Sequence, residues 1–331
     1  MKQQAGIGIL LALTTAICWG ALPIAMKQVL EVMEPPTIVF YRFLMASIGL
    51  GAILAVKKRL PPLRVFRKPR WLILLAVATA GLFGNFILFS SSLQYLSPTA
   101  SQVIGQLSPV GMMVASVFIL KEKMRSTQVV GALMLLSGLV MFFNTSLVEI
   151  FTKLTDYTWG VIFGVGAATV WVSYGVAQKV LLRRLASPQI LFLLYTLCTI
   201  ALFLYTLCTI ALFPLAKPGV IAQLSHWQLA CLIFCGLNTL VGYGALAEAM
   251  ARWQAAQVSA IITLTPLFTL FFSDLLSLAW PDFFARPMLN LLGYLGAFVV
   301  VAGAMYSAIG HRIWGGLRKH TTVVSQPRAG E

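Results

Sequence analysis

Two stretches decide how this chain folds: AICWGALPIAMKQ, residues 16–28, and ATVWVSYGVAQKV, residues 168–180. Each carries a tryptophan eight residues before a lysine, Trp19 with Lys27 and Trp171 with Lys179. Pro36 and Pro188 follow them, and all three landmarks recur at a single offset of 152 residues. Further on, Pro109 in QVIGQLSPVGMM (102–113) answers Pro266 in SAIITLTPLFTL (259–270) at an offset of 157. Chance matching of Trp, Lys and Pro in apolar sequence is the bland alternative. Three landmarks at one spacing argue instead for two related halves.

Every landmark sits in or beside an apolar run. The runs fall at about 5–26, 37–56, 71–93, 97–119, 127–143, 158–178, 189–213, 227–250, 255–278 and 288–310. A membrane-spanning helix takes about 20 apolar residues, so the length fits ten spans with short connections. Five spans per half is odd, so the second half must insert upside down relative to the first. Inverted repeats are a transporter signature, because the two-fold relation supplies inward- and outward-open states. The expected fold is an all-α integral membrane protein of ten transmembrane helices in two inverted five-helix repeats, residues 1–145 and 157–311. A basic tail, 312–331, follows and is expected to be cytoplasmic and, from 315 on, disordered.

Composition agrees. Over 331 residues the chain is 59% hydrophobic and 10% charged, with a mean hydropathy of +0.89. Soluble domains run near 45–50% apolar and about 25% charged, which excludes a soluble globule. A net charge of +15 in a soluble protein would suggest nucleic acid. Here the basic residues lie between apolar runs, where they anchor cytoplasmic loops, so the partner is the lipid bilayer and not nucleic acid. With the N-terminus inside, inner segments collect 19 basic residues and outer segments 4, with Arg42 inside a span. Both termini are therefore expected on the cytoplasmic side. The apolar stretch after Lys2 is too long for a typical signal peptide and ends in no small-x-small site, so it reads as a retained first span. The five cysteines and three histidines form no CxxC pair or ligand cluster. No metal, disulfide framework or cofactor is expected.

AICWGALPIAMKQ, Pro36 with FYRFLMA behind it, SPVGMMVASVFILKEK with Pro109 and Glu122, and the five-plus-five repeat together resemble the EamA branch of the drug/metabolite transporters. The resemblance covers nearly all of 5–311. It implies ten helices, a central cavity between the halves, and movement of small metabolites, often outward. Two positions depart from the pattern: Ala279 stands where the second repeat would match Glu122, and Leu194 stands where it would match Arg42.

Nothing reads as catalysis, since the chain has no HExxH, GxSxG or Walker loop. Without ATP machinery, transport would be secondary or facilitated. The expected cargo is a small amphipathic metabolite, such as an amino acid, moved outward. Facilitated uptake of a sugar-like or nucleotide-like metabolite, or a non-transporting assembly role, are the alternatives. The protein would work as a monomer or homodimer.

Polar and aromatic side chains inside spans are the candidate substrate groups. Trp19 and Trp171 would bracket a substrate from opposite ends of a cavity, with Tyr174 beside the second; interfacial belt positions are the alternative. Asn85 and Asn238 lie near mid-membrane, Gln102 and Gln106 share a face, and Tyr243 continues the set. Helix–helix hydrogen bonding would explain these polar groups equally well. Pro109 and Pro266 remove a backbone donor and could free a carbonyl. Arg42 reads either as an anchor for a carboxylate or as a side chain snorkelling to the outer interface. Glu248 and Asp274 are the candidate proton carriers, with simple solvation as the alternative.

One feature belongs to no transporter pattern. LYTLCTIALF occupies 194–203 and again 204–213 without a substitution. A helix from 187 to 216 would be about 45 Å long against a hydrocarbon core of about 30 Å. One copy is expected to be dispensable, with strain or an overhang near Leu204.

Overall fold

The computed structural model describes residues 5–62, 69–119, 126–182, 184–212, 218–253, 255–281, 283–284 and 289–324. Among these residues the chain is helical, with no strand. The first half comprises α1 (Ala5–Leu30), α2 (Pro35–Val56), α3 (Pro69–Tyr95), α4 (Pro98–Gly105), α5 (Leu107–Phe118), α6 (Ser126–Phe142) and the short α7 (Leu147–Thr152). The second comprises α8 (Asp156–Leu181), α9 (Ser187–Leu212), α10 (His226–Arg252), α11 (Ala255–Ile262), α12 (Thr265–Ala279) and α13 (Leu291–Val324), with a 3-10 turn at Pro218–Gln223. Eight of the described helical stretches are long and apolar enough to cross a membrane, and Ser126–Phe142 is a shorter apolar helix. Helices suit that setting because each satisfies its own backbone donors and acceptors.

The prolines set where helices break. A proline at position i leaves the carbonyl at i−4 without its helical donor. α4 ends at Gly105, four residues before Pro109, and α11 ends at Ile262, four before Pro266. The runs expected at 97–119 and 255–278 are therefore each divided in two. In the second break the Thr265 hydroxyl donates to the freed Ile262 carbonyl at 2.6 Å. α1 stays continuous through Pro23, because another helix satisfies the carbonyl that Pro23 frees, as described below.

The two halves pack on one another. α1 lies against α10 and α12, while α8 lies against α3 and α5; α2 pairs with α9, and α6 with α13. The last pair is built on glycine. A methyl group on Gly131 would sit 2.6 Å from the Gly303 carbonyl, and one on Gly138 would sit 2.9 Å from the Gly296 carbonyl. Backbone meets backbone there, as small residues permit between membrane helices. Lys27, one of the sequence landmarks, caps α3: its ammonium donates to the carbonyls of Leu93 at 2.5 Å and Leu96 at 3.1 Å. α2 ends with Lys58 in the left-handed region (φ 51°) and Arg59 N–H bonded to the Leu54 carbonyl at 2.8 Å, a Schellman closure.

α9 runs unbroken past Leu204 to Leu212, so the duplication causes no break in the helix. The first copy supplies core residues, Leu194, Tyr195, Cys198 and Leu202, whereas Phe203 and Leu204 are half exposed. Part of the basic tail is helical. α13 continues helically through Val324, and 325–331 lie outside the described residues.

Candidate functional site

Pro23 is the local cause of the site's geometry. It leaves the Trp19 carbonyl without a helical donor, and Gln102 from α4 donates its amide to that oxygen at 2.7 Å. The neighbouring carbonyls are also tied to other helices. Asn238 from α10 donates to Cys18 at 2.5 Å, and the Thr269 hydroxyl from α12 donates to Gly20 at 2.8 Å. Three successive carbonyls of α1 are thus held by α10, α4 and α12. These bonds fix the rotation of α1 and with it the direction of the Trp19 side chain.

Trp19 packs over Gly242, where a methyl group would come 2.5 Å from the indole nitrogen. Its ring centroid lies 4.9 Å from that of Tyr243. Tyr243 in turn lies 6.3 Å from Phe86 and 6.2 Å from Tyr195. Tyr174, whose ring lies 5.9 Å from Trp171, belongs with Trp171 to the same hydrophobic cluster as Phe86, Tyr195 and Tyr243. One cluster of aromatic rings therefore holds both Tyr243, the neighbour of Trp19 on α1, and Trp171 on α8. Aromatic pairs at such distances add about 0.5–1.5 kcal/mol beyond area burial. Together they make a firm wall suited to a flat or aliphatic group.

Arg42 lies in the middle of this wall. It does not snorkel: it is 3% exposed, with Nε donating to the Thr239 hydroxyl at 3.2 Å and Nη1 directed to Met26 Sδ at 3.5 Å. The guanidinium carbon stands 4.5 Å from the Phe86 ring centroid, a cation–π contact. The snorkelling expectation fails because α2 turns this face toward α1, α3 and α10. Position in the sequence gives depth but not rotation.

The remaining candidates divide. Asn85 donates to the Ala167 carbonyl at 3.0 Å, so Asn85, Gln102 and Asn238 all spend amide donors on tying helices together. Gln106 is buried at the end of α4. Glu248 is 56% exposed and ion-paired with Arg252 one turn along α10. Asp274 accepts from the Tyr294 hydroxyl at 3.4 Å, away from the aromatic wall. Glu122 lies outside the described residues. Phe86, Tyr195, Thr239 and Thr269 were not singled out by sequence. Phe86 adjoins the noted Asn85, but only the packing of distant helices brings the four together. An open groove of about 440 Å³ between α5 and α8 is lined by apolar groups such as Leu107, Val110 and Val172. Its Thr169 hydroxyl bonds back to its own helix, so the groove offers a ligand nothing polar.

The comparisons agree with this architecture. The EamA-like transporter family matches the chain twice, over residues 6–144 and 158–302. The uncharacterized inner membrane transporter YhbE of Escherichia coli (strain K12) is 97% identical over 331 residues, covering 100% of both chains. The aromatic amino acid exporter YddG of Ancylobacter novellus is 28% identical over 171 residues, 51% of this chain and 57% of that protein. A crystal structure with 21% identity superposes at a TM-score of 0.63, over 94% of this chain and 99% of the other, which concerns the fold alone. Two matches that together span most of the chain, with apolar helices to match, make the conclusion plain: the chain belongs to the EamA-like transporter family and is a membrane transporter of that type.

Proposed function

We propose that the protein is a secondary transporter that exports a small amphipathic metabolite, an amino acid or a related compound, across the inner membrane. The observation that carries this reading is the aromatic cluster that joins Trp19, Tyr243, Phe86 and Tyr195 and shares one hydrophobic core with Tyr174 and Trp171, where helices of the two halves meet. The architecture proposed is ten helices in two inverted five-helix repeats, 1–145 and 157–311, with both termini cytoplasmic. Three observations support it. The family matches twice. The helix contacts exchange half for half, α1 with α10 as α8 with α3. Asn238 and Asn85, 153 residues apart, make the same kind of bond across those two pairs. Outward movement and an aromatic cargo draw on the name of the Ancylobacter novellus relative. Asp274 is the acid proposed to carry a coupling proton, because the exposed Glu248 already has Arg252 as its partner.

The test is flux in reconstituted vesicles loaded with labelled L-phenylalanine. The protein should release it faster than empty vesicles do. Trp19→Ala and Trp171→Ala should each lower that flux by about tenfold while the protein remains expressed and folded, as expected for losing an aromatic contact surface. Flux of sugars or nucleotides alone would move the reading to facilitated uptake. No flux of any solute would favour an assembly role.

A further inference from the structure

Arg42 is the only charged side chain among the described buried residues. It lies seven residues past the start of α2, about 10 Å along the axis. A charge inside a membrane span is costly, and it marks a functional position unless it has a partner. Here the partner is missing. A guanidinium has five N–H donors, and among the described residues only the Thr239 hydroxyl and the weakly accepting Met26 sulfur receive any. The Thr239 hydroxyl can accept because its own proton goes to the Cys235 carbonyl at 2.9 Å. No described carboxylate pairs with Arg42, and the titratable groups interacting with it are Cys235, Tyr243 and Tyr195.

A second orphan is one of those groups. Tyr195 is fully buried, and its hydroxyl has no hydrogen-bond partner. Its ring is held by Phe43 at 5.8 Å and Tyr243 at 6.2 Å. Leaving a buried hydroxyl unpaired forfeits its hydrogen bonds to water with nothing in return. Both unsatisfied groups are donors, so both are answered by one acceptor bearing negative charge. The balance sets its charge: one guanidinium with no second buried cation beside it is neutralised by a monoanion, and a doubly charged phosphate would leave excess charge in an apolar site. The aromatic wall adjoining it sets the rest of the molecule.

We propose that Arg42 and the Tyr195 hydroxyl form the anion end of the substrate site, binding the carboxylate of a monoanionic or zwitterionic amphiphile whose apolar part lies against Trp19, Phe86 and Tyr243. The role of this site in transport rests on the function proposed above; its selectivity for an anion does not.

The experiment compares 3-phenylpropanoate with 3-phenylpropanamide, matched in size and differing in charge, by titration of the full chain in detergent, read by thermal shift and tryptophan fluorescence. The acid should bind about tenfold or more tightly than the amide, the scale of a hydrogen bond to a charged group. Arg42→Gln should bring that ratio close to one by weakening the acid alone, and Arg42→Lys should keep part of it. Tyr195→Phe removes only the unbonded oxygen, so it carries the test if Arg42→Gln does not fold; it should weaken the acid several-fold and leave the amide unchanged. Equal binding of the two compounds, binding of neither, or a ratio unaltered in both Arg42→Gln and Tyr195→Phe would overturn the proposal. Preference for the acid without flux in vesicles would sustain the anion site and sink the transport reading. Flux of the amide with no preference for the acid would do the reverse.

Discussion

Asn238 illustrates what a polar residue does inside this bundle. Its amide nitrogen holds the Cys18 carbonyl at 2.5 Å, while its own oxygen is buried without a partner. Asn238→Leu removes that tie and should destabilise the protein by about 0.6–1.7 kcal/mol, the range measured for hydrogen bonds between membrane helices. A lowered melting temperature in detergent is the readout; an unchanged one would show that the bond contributes nothing net. Sequence marks Asn238, Asn85 and Gln102 as polar groups within apolar runs. It cannot tell substrate contact from helix tie, because the acceptors, Cys18, Ala167 and Trp19, lie 82 or more residues away. Pro23 was the legible clue, since it names the carbonyl that would need an outside donor. Arg42 shows the converse. Its residue type marked it as notable, but its inward direction depends on Phe86 and Thr239, which α3 and α10 deliver.

At the scale of helices, breaks fall four positions before Pro109 and Pro266 and divide runs that the apolar pattern joins, whereas α1 continues through Pro23. The donor a proline removes is local and so can be read from sequence. The duplicated decapeptide tests how far local reading extends. Ten residues rotate a helix by roughly 1000°, which leaves the second copy about 80° from the face of the first. One copy's buried face, Leu194, Tyr195, Cys198 and Leu202, therefore cannot be repeated in line by the next. At 26 residues, α9 is about 39 Å long against a core of about 30 Å. Deleting residues 204–213 should leave the melting temperature in detergent unchanged or higher, because the described core contacts of α9 run from Ile190 to Leu202, ahead of the second copy. A clear fall would show that the second copy belongs to the fold.

Across the whole molecule, contacts between the halves sort the helix ends into two groups. Gly8 sits under Trp253, and the Gln189 amide donates to the Arg59 carbonyl at 3.0 Å. At the other ends, Trp227 donates to Gln28 at 3.3 Å, and Asn144 and Asn290 exchange amide bonds at 3.1 and 2.8 Å. Ends assigned to the cytoplasm by charge touch one another, and so do ends assigned outside. None of these contacts crosses between the groups. The 19 to 4 distribution of basic residues then chooses which group faces in, because translocating Lys and Arg is disfavoured. A reporter fused after Lys58, between α2 and α3, should register cytoplasm, and one fused after Lys153, between α7 and α8, should register the outside. Three crossings separate the two sites if α4 and α5 together make one span. Both reporters reversed would overturn the orientation but keep the parity. Both reporters on one side would mean an even number of crossings, and with it the loss of the inverted relation between the halves.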